Sequence, residues 1–176
     1  MTTSQTQIAT VAAGCFWGVE HLFRKQFGEG KGLLDAKVGY CGGKTAEPTY
    51  RAVCSGETGH AEALQIKYDP DVVSYRALLE FFYRMHDPTT ANRQGPDVGT
   101  QYRSAIFTHG AEQEGIAREV TDKIGREWYA GKPVTTAIIA AGQWWNAEDY
   151  HQLYLAKNPA GYECPAHFVR TFPPLS

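Results

Sequence analysis

Short segments with the apolar pattern of a β-strand alternate along this chain with longer segments that have the apolar period of an α-helix. The segments that predict strands are residues 7–13, 33–40, 61–68, 103–108 and 134–141. The segments in which apolar residues recur every three or four positions, and which therefore predict helices, are residues 15–27, 75–86 and 112–129. Interleaved strands and helices predict an α+β fold, an α/β two-layer sandwich with a mixed β-sheet covered by helices.

Two stretches lack a periodic pattern. Residues 87–102 form the first, and a stretch of this length inside a compact domain is usually functional or disordered. After it, Asn146 is placed to cap a last helix that ends near Lys157. Residues 158–176 then predict an irregular tail over the surface, in which Cys164 could move toward another sulfur. No linker divides the 176 residues, which we expect to form a single domain.

Charge and composition exclude several classes of protein. Seventeen Lys and Arg against 19 Asp and Glu leave a net charge of −2, without the basic footprint of a nucleic-acid or anionic-membrane binder. The first 23 residues contain no Lys or Arg, so we expect no leader peptide and a cytoplasmic location. Cys15, Cys41, Cys54 and Cys164 lack the close pairs of a zinc site, and we expect no bound metal.

Cys15 lies where the first predicted strand meets the first predicted helix. Unpaired backbone N–H groups at a helix N-terminus favour a thiolate, so Cys15 is a candidate nucleophile. Gly14 and Gly18 bracket the sequence Cys-Phe-Trp and permit close approach by another molecule, while Phe16 and Trp17 place two aromatic rings near the sulfur. The alternative is a buried cysteine that only packs.

Glu62 is the one acidic residue on the apolar side of its predicted strand. Residues 61–68 alternate, and Glu62 shares a side with Leu64, Ile66 and Tyr68. Burial would raise the pKa of this carboxyl group, keep it protonated near neutral pH and let it act as an acid. The alternative is a carboxylate paired with an arginine such as Arg51 or Arg103.

Other polar residues are less distinctive when taken one at a time. Tyr50 and Tyr102 can donate hydrogen bonds from apolar settings, but in a chain with ten tyrosines packing is the better explanation for either one alone. Asp97 by itself fits an ordinary turn. We expect His60, two residues before Glu62, to be structural or solvated.

The sequence Gly14-Cys15-Phe16-Trp17-Gly18 at a strand-to-helix junction resembles the signature of the A class of peptide methionine sulfoxide reductases. The other stretches that agree with this family are residues 38–40, 50–54, 59–62, 86–90, 95–97, 99–104, 150–152 and 155–159. The resemblance covers nearly the whole chain and implies a ferredoxin-like core.

The resemblance also implies roles for individual residues. Cys15 becomes the nucleophile that attacks the sulfoxide sulfur, and Glu62 becomes the acid. Tyr50 and Tyr102 would donate hydrogen bonds to the sulfoxide oxygen. The remaining implied roles are substrate-methyl binding by Phe16 and Trp17, and organisation of water and hydrogen bonds by Asp97.

A thiol-dependent reaction cycle is implied as well. Reduction of the S epimer of methionine sulfoxide would leave Cys15 as a sulfenic acid, which condenses with a second thiol. Many relatives carry two cysteines in a Gly-rich tail, whereas this tail has only Cys164, so a Cys15–Cys164 disulfide is our hypothesis. The implied partners are thioredoxin, as the final reductant in place of a bound cofactor, and oxidised proteins or free methionine sulfoxide as substrates. We expect a monomer.

Two other functions remain open at this stage. In the first, Cys15 works with a histidine base in a hydrolase or acyltransferase. In the second, Phe16, Trp17, Trp144 and Trp145 form an aromatic peptide-binding surface, and Cys15 only packs.

Overall fold

The computed structural model describes residues 5–176, so the first four residues of the expected domain lie outside the description. The strands are β1 (Gln7–Ala13), β2 (Leu33–Cys41), β3 (Ala61–Tyr68), β4 (Arg93–Gln94), β5 (Asp97–Val98), β6 (Ser104–Thr108), β7 (Ala137–Ala140) and β8 (Trp145–Asn146). The α-helices are α1 (Phe16–Phe27), α2 (Tyr50–Cys54), α3 (Tyr75–Met85), α4 (Ala111–Glu127) and α5 (Tyr154–Lys157).

Six of these strands form one mixed sheet in the order β7-β6-β1-β3-β2-β8. All neighbouring pairs are antiparallel except β6 and β7, which are parallel. Helix α1 connects β1 to β2, and α3 lies between β3 and β6, so the four central strands have the βαββαβ order of a ferredoxin-like core. The predicted α+β fold with a mixed sheet is confirmed.

The two faces of the sheet differ in the size of their apolar clusters. Helices α1, α3 and α4 cover one face, and their apolar side chains join those of the strands in the main core. The opposite face carries small residues and Phe107, covered by Trp144 and its neighbours. Glu62 lies on β3 between Ala61 and Ala63, which both face this smaller cluster. Its side chain therefore points to the helix-covered face, as the alternation in the sequence predicts.

The predicted last helix is wrong. Asn146 pairs with Gly39 in β8 instead of capping a helix, and a single 3₁₀ turn follows at Asp149–His151. The Gln152 side chain then bonds both the N–H and the C=O of Val38, at 2.9 and 2.8 Å. Leu153 has a φ of 55°, which a right-handed helix excludes. Long-range hydrogen bonds thus override the local capping pattern and leave only the four residues of α5.

Two further segments differ from the sequence prediction. The strand expected from residue 134 begins at Ala137, because the N–H of Thr135 donates to the carbonyl of Pro88 at 2.8 Å. Helix α2 was not predicted; Thr49 caps it by accepting the N–H of Ala52 at 3.2 Å. Both segments are too short to show a periodic pattern of apolar residues in the sequence.

The non-periodic stretches fold without long elements. Residues 87–102 contain the β4–β5 hairpin and a 3₁₀ turn at Thr100–Tyr102. Residues 158–176 form only turns, bends and irregular backbone, as expected for the tail. No helix within residues 5–176 has the length and apolar character that crossing a bilayer requires.

Replacing Ser74 with alanine should lower the free energy of unfolding by about 1 kcal/mol. The Ser74 hydroxyl accepts the N–H of Ala77 at 3.0 Å and caps α3, so its loss leaves a backbone donor unpaired. Chemical denaturation measures this difference. Ser74→Asp is the matched control, since it keeps the acceptor and should unfold like the wild type. Equal stability of Ser74→Ala and the wild type would contradict the assigned cap.

Candidate active site

Cys15 lies in the sharp connection between β1 and α1. Gly14 turns the chain with a φ of 93°, a conformation that favours glycine. Cys15 then occupies the N-cap position of α1, whose first helical residue is Phe16. The cysteine is only 8% exposed. The predicted position at a strand-to-helix junction is therefore confirmed, in a mostly buried setting.

The Glu62 carboxyl group reaches the same helix N-terminus from β3. Its Oε1 atom accepts the backbone N–H of Phe16 at 3.2 Å, while its Oε2 atom is buried and has no hydrogen-bond partner among the described residues. Burial raises the pKa of Glu62 to about 8, the Phe16 N–H lowers it, and the charge of Asp97 raises it. The group is therefore mainly protonated at neutral pH, with one oxygen free to carry the proton.

The alternative role of Glu62 as an ion-paired carboxylate has no support in the structure. The ion pairs found within residues 5–176 do not include Glu62. One of the two arginines considered, Arg103, donates to the carbonyl of Thr100 at 2.9 Å. The buried carboxyl group is thus stabilised as a neutral acid.

The expectation that Cys15 is held as a thiolate is wrong for the protein without substrate. Burial raises the pKa of the Cys15 thiol far above its ordinary range, and the negative charge of Glu62 would raise it further. The backbone N–H of Trp17 lowers the pKa, but by less. The helix N-terminus therefore lowers the pKa of Cys15, as predicted, but desolvation raises this pKa by more. Protonation of Glu62 removes the unfavourable contribution of its charge.

Tyr50 and Tyr102 lie beside Glu62, and both remain protonated. Burial is the largest cause of the raised pKa of each hydroxyl, followed by the charge of Glu62. Glu148 fixes the position of Tyr50, since its carboxylate accepts the backbone N–H of Tyr50 at 3.0 Å and the hydroxyl of Tyr40 at 2.9 Å. The two tyrosines are thus available as hydrogen-bond donors.

Trp17 is held in a fixed orientation by two residues to which the sequence assigned no role. Its indole N–H donates to Nδ1 of His151 at 2.9 Å, and its ring stacks on Tyr154 with centroids 3.7 Å apart. The His151 ring lies 4.5 Å from that of Tyr50. Phe16 is 1% exposed and packs 5.1 Å from His151. His151 falls within a stretch that resembles the family, but nothing in its local pattern indicates this aromatic contact.

Asp97 and Cys164 lie next to this group of residues, so the structure brings all the predicted site residues together. The charges of Asp97 and Cys164 both raise the pKa of Cys15. Tyr162 of the tail donates its hydroxyl to both carboxylate oxygens of Asp97, at 3.1 Å each. Cys164 is 2% exposed, and its thiol donates to the carbonyl of Gln94 at 3.4 Å. The tail is therefore packed around Cys164, and the resolving candidate is not on a free end.

The other two cysteines have different surroundings. Cys41 belongs to the small cluster on the opposite face of the sheet, where the nearby guanidinium of Arg103 lowers the pKa of its thiol and burial raises it more strongly. Cys54 is exposed and lies beside the hydroxyl of Tyr50, at the edge of the site. His60 accepts the N–H of Gly43 at 3.0 Å and is a structural histidine.

The two competing functions find little support in this geometry. Phe16 is almost fully buried, and Trp144 packs against the opposite face of the sheet, so the four aromatic residues form no common surface. Within residues 5–176 no hydrogen bond joins a histidine ring to the Cys15 thiol, and Nδ1 of His151 instead accepts the indole N–H of Trp17. Within residues 5–176, no group of three His, Cys, Asp or Glu side chains is arranged to hold a metal ion.

Comparisons with known proteins identify one family. The model of the peptide methionine sulfoxide reductase family matches residues 7–171. The chain is 54% identical to the probable peptide methionine sulfoxide reductase of Schizosaccharomyces pombe over 164 residues, which cover 93% of this chain and 96% of that protein.

Solved structures of this family share the fold of the chain over nearly its whole length. The crystal structure of reduced Mxr1 from Saccharomyces cerevisiae superposes with a TM-score of 0.90 at 41% identity, covering 97% of this chain and 95% of that one. Mxr1 in complex with Trx2 gives a TM-score of 0.65 at 27% identity, over 97% and 94% of the two chains. On these matches, the chain belongs to the peptide methionine sulfoxide reductase family and is an enzyme that reduces methionine sulfoxide.

Proposed function

We propose that this enzyme reduces the S epimer of methionine sulfoxide, free or in oxidised proteins, with Cys15 as nucleophile and Glu62 as acid. The observation that carries the proposal is the position of the Glu62 carboxyl group. One of its oxygens is occupied by the N–H of Phe16, the residue after Cys15, and the other is buried and free. A protonated acid is thereby fixed against the same helix turn that presents the thiol.

The surrounding side chains fit the two ends of a sulfoxide. The hydroxyls of Tyr50 and Tyr102 stay protonated and supply hydrogen bonds to the oxygen. The fixed indole of Trp17 supplies apolar surface to the S-methyl group, and the buried Phe16 ring completes the apolar lining beneath it. Asp97 orders water and hydrogen bonds at the edge of the site. Because the oxygen and the methyl group are bound on different sides of the sulfur, only one epimer presents its sulfur to Cys15.

The reduction step transfers one oxygen atom. As the Cys15 sulfur attacks the substrate sulfur, Glu62 donates its proton to the sulfoxide oxygen and takes up the thiol proton by the end of the step. The hydroxyl then passes from the substrate sulfur to the Cys15 sulfur, so that the substrate's sulfur–oxygen bond and the transient sulfur–sulfur bond both break, the thioether of methionine is released, and Cys15 is left as a sulfenic acid. A positioned acid typically contributes about 10² to 10⁴ in rate to such a step.

A second step regenerates the thiols. The Cys164 thiol attacks the sulfur of the sulfenic acid, a Cys15–Cys164 disulfide forms, and the oxygen leaves as water. A dithiol then reduces this disulfide by exchange. Mxr1 forms a complex with Trx2, which supports thioredoxin as the reductant and partner of this chain, with no resident cofactor. We propose that residues 1–176 form one domain that acts as a cytoplasmic monomer.

The direct test is incubation with each epimer of a blocked methionine sulfoxide and dithiothreitol. The proposal expects methionine from the S epimer alone. A hydrolase would form a stable acyl adduct without needing a reductant, and a binding module would form no product. Conversion of the R epimer at an equal rate would refute the proposed arrangement of methyl and oxygen sites.

Cys15→Ser should abolish methionine formation, because serine lacks the sulfur that receives the oxygen. The matched control is Cys41→Ser, which changes a buried thiol on the opposite face of the sheet and should retain turnover with dithiothreitol. Product analysis by chromatography measures both variants. Turnover by Cys15→Ser would exclude Cys15 as the nucleophile.

Glu62→Gln should slow single-turnover methionine formation by about 10² to 10⁴ at pH 7. The ratio of wild-type to variant rates should be constant below about pH 8 and fall above it, since Glu62, whose pKa is raised to about 8, then loses its proton. Below about pH 8 the neutral Glu62 leaves the ionisation of Cys15 alike in both proteins; above it, the Glu62 charge disfavours the wild-type thiolate, which lowers the ratio further. A ratio that stays near one, or that rises with pH, would remove Glu62 from the mechanism.

Cys164→Ser should form one methionine per chain without reductant and then stop when thioredoxin is the only reductant. The matched control is Cys54→Ser, which removes the exposed thiol beside Tyr50 and should keep thioredoxin-driven turnover. Steady-state assays with thioredoxin and its reductase compare the two variants. Normal recycling by Cys164→Ser, or its loss in Cys54→Ser, would refute the assignment of the resolving cysteine.

A further inference from the structure

His167 of the tail lies directly on the turn that presents Cys15. Its Nε2 atom is 2.6 Å from the carbonyl oxygen of Ala13, two residues before Cys15. Its backbone N–H donates to the carbonyl of Cys164 at 2.9 Å, which closes a tight turn of the tail. A single residue therefore links the segment that carries the nucleophile to the segment that carries the second thiol.

Gly18, on the C-terminal side of the nucleophile, makes room for this ring. A Cβ atom on Gly18 would lie 2.5 Å from Nδ1 of His167, whereas one on Gly14 would meet the Gln94 side chain first, at 2.7 Å, and Nε2 of His167 at 3.3 Å. Gly18 has ordinary helical backbone, so only this close approach requires glycine there. The sequence predicts that another molecule approaches the backbone at these glycines. At Gly18 the structure instead places a side chain of the same protein.

The hydrogen-bond pattern fixes the state of the ring. Because a carbonyl only accepts, the hydrogen of His167 is on Nε2, and Nδ1 is buried without a partner among the described residues. Burial lowers the pKa of His167 and is the largest effect; the hydrogen bond to the Ala13 carbonyl and the charges of Asp97 and Glu163 raise it, and Arg170 lowers it. The neutral ring is thus a fixed donor to the carbonyl of Ala13.

We propose that His167 is a positioning residue for the recycling step, holding the tail at the Cys15 turn so that Cys164 reaches the sulfenic acid from a nearby anchor. The inference rests on the proposed function. From this anchor only Gly14 separates Ala13 from Cys15, and two residues separate His167 from Cys164. A short connection between two reacting groups raises their effective concentration.

The other contacts of the tail show why this anchor matters. Arg170 is the next attachment toward the C-terminus, where its N–H donates to the carbonyl of Arg84 at 2.9 Å. On the other side of Cys164, Tyr162 is attached to Asp97, one of the candidate active-site residues. Loss of the His167 anchor would double the length of chain, from three to six residues, between Cys164 and its C-terminal attachment.

The test measures the two chemical steps separately in rapid-mixing experiments with methionine sulfoxide and no reductant. His167→Leu keeps bulk and loses the donor, whereas His167→Gln keeps an N–H at a similar reach. We expect methionine formation in the first turnover within about twofold of wild type for both variants. Formation of the Cys15–Cys164 disulfide should slow by about tenfold in His167→Leu, the effect of one hydrogen bond, and recover in His167→Gln.

Gly18→Ala tests the same contact from the other side. The added methyl group would displace the His167 ring and should slow disulfide formation by a similar factor without changing the first turnover. In a His167→Ala background the methyl group meets no ring, so the double variant should be no slower than His167→Ala alone. Additive losses would show that the two residues act independently and would overturn the inference.

The remaining outcomes distinguish this inference from the proposed function. Disulfide formation at the wild-type rate in His167→Leu would overturn the role of His167 alone. Equal slowing of both steps would also overturn it, because a purely structural residue would produce that result. A wild-type protein that makes methionine but no Cys15–Cys164 disulfide would refute the proposed recycling step instead.

Discussion

The hydrogen bond between the Phe16 N–H and the Glu62 carboxyl group, inside an apolar wall, is the contact on which the site depends. It joins the first turn of α1 to the second residue of β3 and so fixes the acid relative to Cys15. The bond occupies one carboxyl oxygen and leaves the other buried. A single donor does not offset the desolvation of a carboxylate, so the proton stays on the group near neutral pH.

The substrate side of the site depends on the segment that follows β8. Glu148 attaches to Tyr50 and Tyr40, and His151 accepts the indole hydrogen of Trp17. Gln152 ties the same segment to the backbone of β2. An irregular segment can aim such side chains in several directions over a few residues, whereas a helix would place them on faces fixed by its period. The irregular backbone, in place of the helix that the sequence predicts, therefore lets this segment reach both Tyr50 and Trp17.

Much of the central sheet and the acid could be predicted because both follow from local patterns. The alternation around Glu62 places its side chain among apolar neighbours, and the change from strand to helix at Gly14 places Cys15 at a helix N-terminus. The contacts of His151 and Glu148 could not be predicted in this way. Their partners lie 134 and 98 residues away along the chain, and no short-range pattern indicates them.

The ionisation of Cys15 illustrates a second limit of sequence reasoning. The helix N-terminus is visible in the sequence and favours the thiolate, but the extent of burial is a property of the packed structure. Burial has the larger effect on the pKa of Cys15, so the site of the free enzyme contains a neutral thiol and a neutral acid. In the proposed mechanism, the proton that Glu62 gives to the substrate oxygen leaves a carboxylate that can take up the thiol proton and so make the sulfur reactive.

The most direct test of the central claim is an infrared titration of the Glu62 carboxyl group. The difference spectrum between the wild type and Glu62→Gln isolates the carbonyl stretch of the protonated acid. The account predicts that this band persists at pH 7 and disappears as the pH rises through about 8. A band already absent at pH 6 would show that Glu62 is ionised in the free enzyme and would contradict the account.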